Sequence, residues 1–240
     1  MSQQSVSQRL HESLGQIIHN TAPGERLPSE PDLARKLGVS RATLREAMRT
    51  FETQGLIHRR QGAGTFVNHP SAVIESGLEI LESIDKMANR IGLPVSVNEY
   101  EVACRPASEE EATVFQLDPD EEVVCVCRVI QAEGRPVAYL VDILPTDVLT
   151  PEELEPNFSG SVLDFLLERG IPQLLTSRTE INAVNASSEV ARSLGIQRGD
   201  VLLRFVAHLY ATNGKVIDLS YSYFLPGYFR FHVIRRVGGL

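Results

Sequence analysis

The sequence predicts an α+β protein in two parts: a small, mostly helical N-terminal domain, and a larger C-terminal domain in which helices lie beside an antiparallel sheet. Three observations predict this division. Residues 1–70 contain apolar positions at helical spacing, the part after about Ser96 contains β-branched and aromatic runs separated by turns, and the net charge changes sign between them. At 240 residues, the chain is long enough for two cores.

Charge separates the two parts clearly. Residues 1–70 contain nine Lys and Arg against six Asp and Glu, a balance of +3, whereas the remainder carries −11. The chain as a whole, at −8, would by itself argue against a polyanionic partner, but the N-terminal part does not. There is no run of eighteen apolar residues and no charged-then-apolar leader, so we expect no membrane span and no secretory leader.

The N-terminal domain is predicted to begin with two helices. The first has an apolar face formed by Leu10, Leu14, Ile17 and Ile18. The second starts at Ser29, which forms a capping-box-like pair with Asp32, and ends at Gly38, since a left-handed residue after the last turn is least costly for glycine.

A third helix is predicted to start at a Ser40 cap. Its spacing places four apolar residues on one face, and these are Leu44, Ala47, Met48 and Phe51. Beside that face runs a stripe of Arg41, Arg45 and Arg49. Such a stripe on its own is common on a solvated helix surface, but a helix buried on one side and cationic on its flank can also enter a major groove.

The segment after Gly55 completes the motif. Ile57 and Phe66 supply apolar anchors for two short strands, and the basic run from Arg59 leads into a glycine-containing turn. Two helices, a tight turn and a basic ribbon form the layout of a winged helix-turn-helix, so double-stranded DNA is the expected partner.

The same stretch resembles the DNA-binding domain of the GntR family of bacterial transcription regulators. The resemblance is carried by Leu27-Pro28-Ser29-Glu30, by Thr43-Leu44-Arg45-Glu46 and by the wing from Gln61 to Val67. It implies DNA contacts for Ser40, Arg41, Thr43, Arg45, Gln61 and Gly62, and we add Ser29 and Arg35 as further candidates. This chain has Pro31 where the family usually has a DNA-clamping arginine, and we expect that contact to be lost or moved to Arg35 or Lys36.

A linker is predicted over residues 71–95. Apolar residues recur every three or four positions from Ala72 to Ile91, which predicts one amphipathic helix that Gly92-Leu93-Pro94 ends. From residue 96 to 240 the sequence predicts the sheet domain, with helices over Ser108–Leu117, Ser161–Arg169 and Ser187–Leu194.

This second domain is similar to the UTRA effector-sensing domain of the HutC subfamily, which resembles chorismate lyase in fold. The resemblance is carried by Ala132–Tyr139, Ser159–Val162, Glu189–Gly195, Gly199–Arg204 and Tyr228–Phe231. It implies an effector pocket that includes Arg128, Ser161, Asp218 and Phe224.

Several ligand-holding positions of the family differ in this chain. Ile130, Leu140, Thr176 and Phe224 stand where members that bind phosphorylated sugars have an arginine, a glutamate, another arginine and a tyrosine. Without these partners, a phosphate would be poorly compensated for its lost hydration. Our hypothesis is a less polar effector, such as a carboxylate with an apolar body held by Arg128. The alternative is that Arg128 pairs with Asp142 or Glu180 and binds no ligand.

Neither a cofactor nor a metal is expected. Cys104, Cys125 and Cys127 lack metal-site spacing, and Cys125 and Cys127 on one strand face are most simply small buried hydrophobes. His208 and His232 lie in strand-like runs. These features indicate a reduced, cytoplasmic protein.

The function expected from the sequence is a homodimeric transcription regulator, most often a repressor in this family, that binds a two-fold symmetric operator and responds to a small-molecule effector. No catalytic set is recognisable, so we expect no enzyme. Two alternatives stay open: a chorismate-lyase-like enzyme domain fused to a DNA-binding domain, and a DNA-bound regulator with no ligand.

Overall fold

The computed structural model describes residues 6–53, 55–60, 62–68, 73–118, 120–154 and 158–235. They divide into two compact units. One contains the chain up to Val73 together with Leu225–Arg230, and the other contains Ile74–Phe224 and the residues from Phe231 onward. No described helix is both long and apolar enough to cross a membrane.

The N-terminal unit has the predicted winged helix-turn-helix. Its elements are α1 Val6–His19, α2 Glu30–Leu37, α3 Arg41–Thr53, β1 Ile57–Arg60 and β2 Gly64–Val67. The two strands are antiparallel and form the wing, with Ile57 opposite Val67.

Capping side chains set the ends of these helices where the sequence predicts them. The Ser29 hydroxyl accepts from the amide of Asp32 at the start of α2, and Gly38 ends that helix with φ 66°. Ser40 accepts from the amide of Thr43 at 3.1 Å and so caps α3. The turn between α2 and α3 is therefore fixed on both sides.

The core of this unit buries the faces predicted from helical spacing. All three helices and both wing strands contribute to it, through Leu14, Ile18, Leu27, Leu33, Ala34, Leu44, Met48, Phe51, Ile57 and Val67. Because one face of α3 is anchored in this core, the arginines on its flank are held at the surface.

The larger unit is built on a six-stranded antiparallel sheet. Its strands in chain order are β4 Val95–Pro106, β5 Glu122–Ala132, β6 Arg135–Pro145, β7 Leu174–Asn185, β8 Val201–Ala211 and β9 Val216–Phe224. Their order across the sheet is β4-β5-β6-β9-β8-β7. Strands β4 and β7 form the two edges.

Three of the four helices between these strands were predicted from sequence. They are α5 Glu109–Phe115, α7 Val162–Arg169 and α8 Ser188–Leu194, and each starts at a serine cap. The fourth, α6 Pro151–Leu154, is a single turn that the sequence patterns did not predict.

The two faces of the sheet have different surroundings. One face packs Val123, Ile143 and Leu219 against Phe115 of α5. The other packs Val124, Val126 and Leu144 against α7 in a second core cluster, and further along the same face lies a cavity. Side chains alternate between these faces along the regularly paired parts of the strands, so register decides what reaches the cavity.

The continuous linker helix predicted over Ala72–Ile91 is wrong. The described part of this segment instead forms a strand, β3 Ile74–Gly77, and a short helix, α4 Ile84–Arg90. Strand β3 pairs with β10 Phe229–His232 near the end of the chain. Gly77 would cost about 1 kcal/mol inside a helix, and Ser83 caps a new one. Long-range strand pairing overrides the local apolar period.

An ion pair between the half-exposed Arg105 and the buried Glu111 fixes α5 to β4. Arg105 donates to both carboxylate oxygens of Glu111, at 2.7 and 2.6 Å, and Glu111 also accepts from the amide of Ser108 at 2.8 Å. These bonds, with that of Arg105 the largest contribution, lower the pKa of Glu111 to about 2.

Replacing this carboxylate has a pH-dependent cost. We expect Glu111→Gln to lower the free energy of unfolding by about 1.5–3 kcal/mol at pH 7. The folded-state pKa lies below the unfolded value, so the contribution of the carboxylate is complete above pH 4.5 and is lost as the pH falls towards 2. Denaturant unfolding at pH 7 and pH 3.5 should therefore show a smaller difference from wild type at the lower pH. Glu109→Gln, exposed in the same turn, is the control, and an equal loss at both pH values would contradict the assignment.

Candidate nucleic-acid interface and ligand cavity

A basic groove lies between the start of α2, the start of α3 and the wing. Its volume is about 600 Å³. Among the described residues, its charged lining consists of one carboxylate, Glu30, and five guanidinium groups, which belong to Arg26, Arg41, Arg45, Arg59 and Arg60. The groove is therefore strongly electropositive, although the chain as a whole is acidic.

Glu30 organises two of these arginines. Its carboxylate accepts from Nε of Arg45 at 2.7 Å and lies 3.7 Å from Arg59. The Glu30 side chain is only 18% exposed, whereas that of Arg45 remains more than half exposed. Arg45 on α3 and Arg59 on the wing are therefore held in one arrangement before any ligand arrives.

The predicted DNA-binding residues divide into three groups. Ser29, Arg41, Arg45 and Gly62 line the basic groove. Arg35, Ser40 and Thr43 do not line it: Arg35 is exposed and lies 3.4 Å from Asp32, and the hydroxyls of Ser40 and Thr43 are 2.8 Å apart at the exposed start of α3. Gln61 lies outside the described residues.

Sequence patterns did not single out Arg26 and Glu30 as site residues. Arg26 forms a β-bridge with Phe66, which carries it to the wing, and Gly64 at φ 114° leaves room for its guanidinium group. The sequence feature that could have indicated Arg26 is its position as a basic residue directly before the Leu-Pro-Ser-Glu run. Arg60 in the wing stacks over Phe66, 5.2 Å from the ring centroid.

The second site is a cavity of about 550 Å³ within the larger unit. Its wall is formed by β5, β6, β7, β8 and β9, by the start of α7 and by the segment from Ser76 to Met87. All four residues predicted to bind an effector line it, namely Arg128, Ser161, Asp218 and Phe224. The altered positions Ile130, Leu140 and Thr176 line it too.

A diagonal row of charged groups crosses the sheet at the floor of this cavity. Arg128 on β5 lies opposite Leu140, so Asp142, two residues further along β6, is its diagonal neighbour. Asp142 lies opposite Ser220, so Asp218 on β9 is the next group in the row. Arg128, Asp142 and Asp218 are only 4%, 8% and 6% exposed.

Arg128 forms an ion pair with Asp142 through Nη2 and donates from Nη1 to the carbonyl oxygen of Gly160 at 2.8 Å. The alternative partner considered from sequence, Glu180, instead pairs with Arg178 at 2.9 Å. Arg128 is thus compensated by the protein itself.

Asp218 is the least compensated member of the row. Its Oδ1 is buried and has no hydrogen-bond partner among the described residues. Burial, reinforced by the neighbouring charge of Asp142, raises the pKa of Asp218 well above its ordinary value. Burial likewise raises the pKa of Asp85, which approaches the cavity from α4.

The described cysteines and histidines add no metal site. Within the described residues, no three His, Cys, Asp or Glu side chains cluster in a way that could hold an ion. Cys125 and Cys127 lie on one face of β5 as predicted, with their Sγ atoms 3.8 Å apart and both residues half-buried, and Cys104 is exposed.

Comparison with known proteins identifies both domains. Residues 3–67 match the family model described as bacterial regulatory proteins, gntR family, and residues 92–230 match the UTRA domain. A winged DNA-binding domain joined to a ligand-sensing domain defines a one-component transcription regulator. The chain belongs to the GntR family, in its group with a UTRA domain.

Curated relatives extend along most of the chain. The HTH-type transcriptional regulator Rv0792c of Mycobacterium tuberculosis is 32% identical over 95% of this chain and 85% of its own length. The Histidine utilization repressor of Pseudomonas putida is 30% identical over 81% and 78%. The repressor NagR of Bacillus subtilis is 28% identical over 83% and 81%.

A solved structure supports the fold. PhnF from Mycobacterium smegmatis superposes with a TM-score of 0.64 at 21% identity and covers 95% of this chain and all of its own. At this identity the likeness shows the fold alone. The predicted α+β architecture and the resemblance to the GntR and UTRA domains are confirmed.

The arrangement around Glu30 leads to a test of specificity. In Glu30→Gln, Arg45 and Arg59 keep their charge but lose the carboxylate that orients them. We expect affinity for a random duplex to stay level or rise, while the ratio of operator to random-duplex affinity falls about fivefold, or roughly 1 kcal/mol. Fluorescence anisotropy with both duplexes measures this ratio. Glu25→Gln, an exposed change of equal charge, should leave it unchanged, and an unaltered ratio in Glu30→Gln would contradict an orienting role.

Proposed function

We propose that this regulator is a cytoplasmic homodimeric repressor that binds a two-fold symmetric operator and whose operator affinity changes when a small molecule occupies the sheet cavity. The basic groove is the observation that carries this proposal. The names of two repressors among its relatives support the sign of regulation. Because the curated relatives are regulators, they favour this function over a fused enzyme.

The groove suits a duplex because its cations belong to two separate elements. Arg41 and Arg45 lie in the first turns of α3, the part of a recognition helix that meets base edges in a major groove. Arg59, Arg60 and Gly62 belong to the wing, which can follow the adjacent phosphate backbone. Ser40 and Thr43, although outside the groove, are exposed at the head of the same helix and can donate to phosphate oxygens.

Arg45 is the most informative single position. Arg45→Ala should weaken operator binding by roughly 1–3 kcal/mol if the guanidinium reads a base, and should mainly flatten the salt dependence if it holds a phosphate. Titrations at three salt concentrations separate the two roles. Arg198→Ala, which removes an exposed charge from the larger unit, controls for net charge, and unchanged binding of Arg45→Ala at every salt concentration would contradict both roles.

Dimerisation is supported by the exposed edge of the large sheet. Strand β7 has twelve residues, no partner on its outer side among the described residues, and exposed apolar side chains at Leu175 and Ile181. Long uncovered edges with apolar residues favour pairing with another chain. A second copy that covers this edge would join two chains, and with them two winged domains, in one particle.

Sedimentation at micromolar concentration should therefore give the mass of two 26.6 kDa chains. A duplex with two half-sites about 10 base pairs apart should bind one dimer far more tightly than a duplex with a single half-site. A monomer in both the free and the DNA-bound protein would rule out the symmetric arrangement.

A further inference from the structure

The floor of the sheet cavity contains more carboxyl groups than cations. Within the described lining, Asp85, Asp142 and Asp218 contribute carboxyl groups to the cavity, and Arg128 contributes its only guanidinium. The two other acidic residues in the wall are engaged elsewhere, since Glu82 pairs with Arg90 at 2.8 Å and Glu79 accepts from the amide of Ile234.

Arg128 has little capacity left for an anion. Asp142 and the Gly160 carbonyl each accept a hydrogen bond from one of its terminal nitrogens, and its guanidinium lies 5.8 Å from the ring centroid of Phe158. Nε lacks a hydrogen-bond partner among the described residues, and each terminal nitrogen carries a second N–H. These N–H groups can serve a neutral acceptor such as a hydroxyl oxygen. Because the charge of Arg128 is already paired with Asp142, however, they offset little of the hydration that a carboxylate or phosphate would lose.

The start of α7 is also already occupied by a carboxylate. Ser161 accepts from the amide of Asp164 at 3.1 Å, and Lys86 of α4 donates to Asp164 at 2.7 Å. An anionic ligand at this helix end would meet the charge of Asp164 as well as those of the floor.

Asp218, in contrast, has an oxygen without a donor, since its buried Oδ1 has no hydrogen-bond partner among the described residues. Asp85 is a second, half-buried carboxyl in the wall of the same cavity. A buried carboxylate oxygen without a partner is costly, and a cation beside Asp218 would remove that cost while Asp85 supplies a second negative charge.

We propose that the effector is a cation, an amine or a guanidine joined to an apolar body, whose positive group binds Asp218 and Asp85. This inference rests on the proposed regulatory function and names the chemistry of its ligand. This cationic effector replaces the carboxylate effector that we inferred from the sequence. Arg128, which was expected to bind that carboxylate, already pairs with Asp142.

The rest of the wall suits the apolar body. Phe205, Phe224 and Phe231 pack edge-on or tilted, with centroids 4.6 to 5.1 Å apart, and all three line the cavity. Ile130 and Leu140 extend this surface towards the polar floor. A volume of about 550 Å³ is within the usual range for small-molecule sites.

Three probes that share one apolar body test the proposal: 3-phenylpropylamine, 3-phenylpropanol and 3-phenylpropanoate. Calorimetry and thermal shift with the full chain should show the amine binding at least tenfold more tightly than the alcohol, and the alcohol more tightly than the carboxylate. Asp218→Asn and Asp85→Asn should each weaken amine binding at least tenfold and leave alcohol binding within twofold. Asp147→Asn, exposed and distant in sequence from the lining residues, is the matched control.

The second variant is included because Asp218→Asn changes a buried residue and could disturb folding. Asp85 is only half-buried, so we expect its replacement to leave the packed floor intact. The proposal is overturned if the carboxylate binds as tightly as the amine, if the amine preference survives in both variants, or if the amine does not bind at millimolar concentration. Operator binding, measured on the same samples, separates this failure from that of the proposed function: a chain that binds its operator but ignores the amine contradicts only the ligand class.

Discussion

The alternation of side chains across the six-stranded sheet is the constraint on which the larger unit depends. On β5, Cys125 and Cys127 lie on the face that packs against α5, whereas Val126 and Arg128 lie on the opposite face, Val126 in the core under α7 and Arg128 in the cavity. If the pairing register of β5 shifted by one residue, Arg128 would move into an apolar core and Asp142 would lose its partner. The free-energy cost would be large, because both charges would be buried without a partner. The register that buries the core therefore also assembles the cavity floor.

In the N-terminal unit, helix α3 likewise has one face in the core and another face at the site. Leu44 and Met48 are fully buried, so α3 cannot rotate without exposing them, and its arginines keep their orientation towards the groove. Glu30 adds a second restraint from α2. The Glu30 carboxylate lowers the net positive charge of the groove, which weakens its general attraction for phosphates. It also restricts Arg45 and Arg59 to fewer conformations, and this restriction favours discrimination between duplexes of different sequence.

Local features of the structure could be predicted from sequence, and long-range ones could not. Serine caps at Ser29, Ser40, Ser108, Ser161 and Ser187 and the left-handed Gly38 depend on neighbours within a few residues, so their pattern is visible in the chain. The strand at Ile74–Gly77 pairs with a segment more than 150 residues away, while its apolar spacing equally fits a helix. That ambiguity explains the incorrect linker prediction.

The same distinction applies to the sites. Arg128, Ser161, Asp218 and Phe224 were placed in one pocket by family resemblance, and the structure brings them together. Their charge balance was not predictable, because it depends on the diagonal neighbours set by register and on Asp85, which arrives from a segment expected to be part of a linker helix. In the groove, Glu30 and Arg26 meet the wing only after the chain has folded.

The stretch from β3 to α4 has a mechanical consequence. It begins at Ile74, where the chain enters the larger unit from the DNA-binding part, and it supplies Asp85 to the cavity wall. A molecule that binds Asp85 would therefore contact a segment that is covalently continuous with the DNA-binding unit. If this segment has two conformations and a ligand in the cavity binds one of them more tightly, the ligand shifts the protein towards that conformation. Thermodynamic linkage then requires that the operator, where it also prefers one conformation, binds with a correspondingly changed affinity.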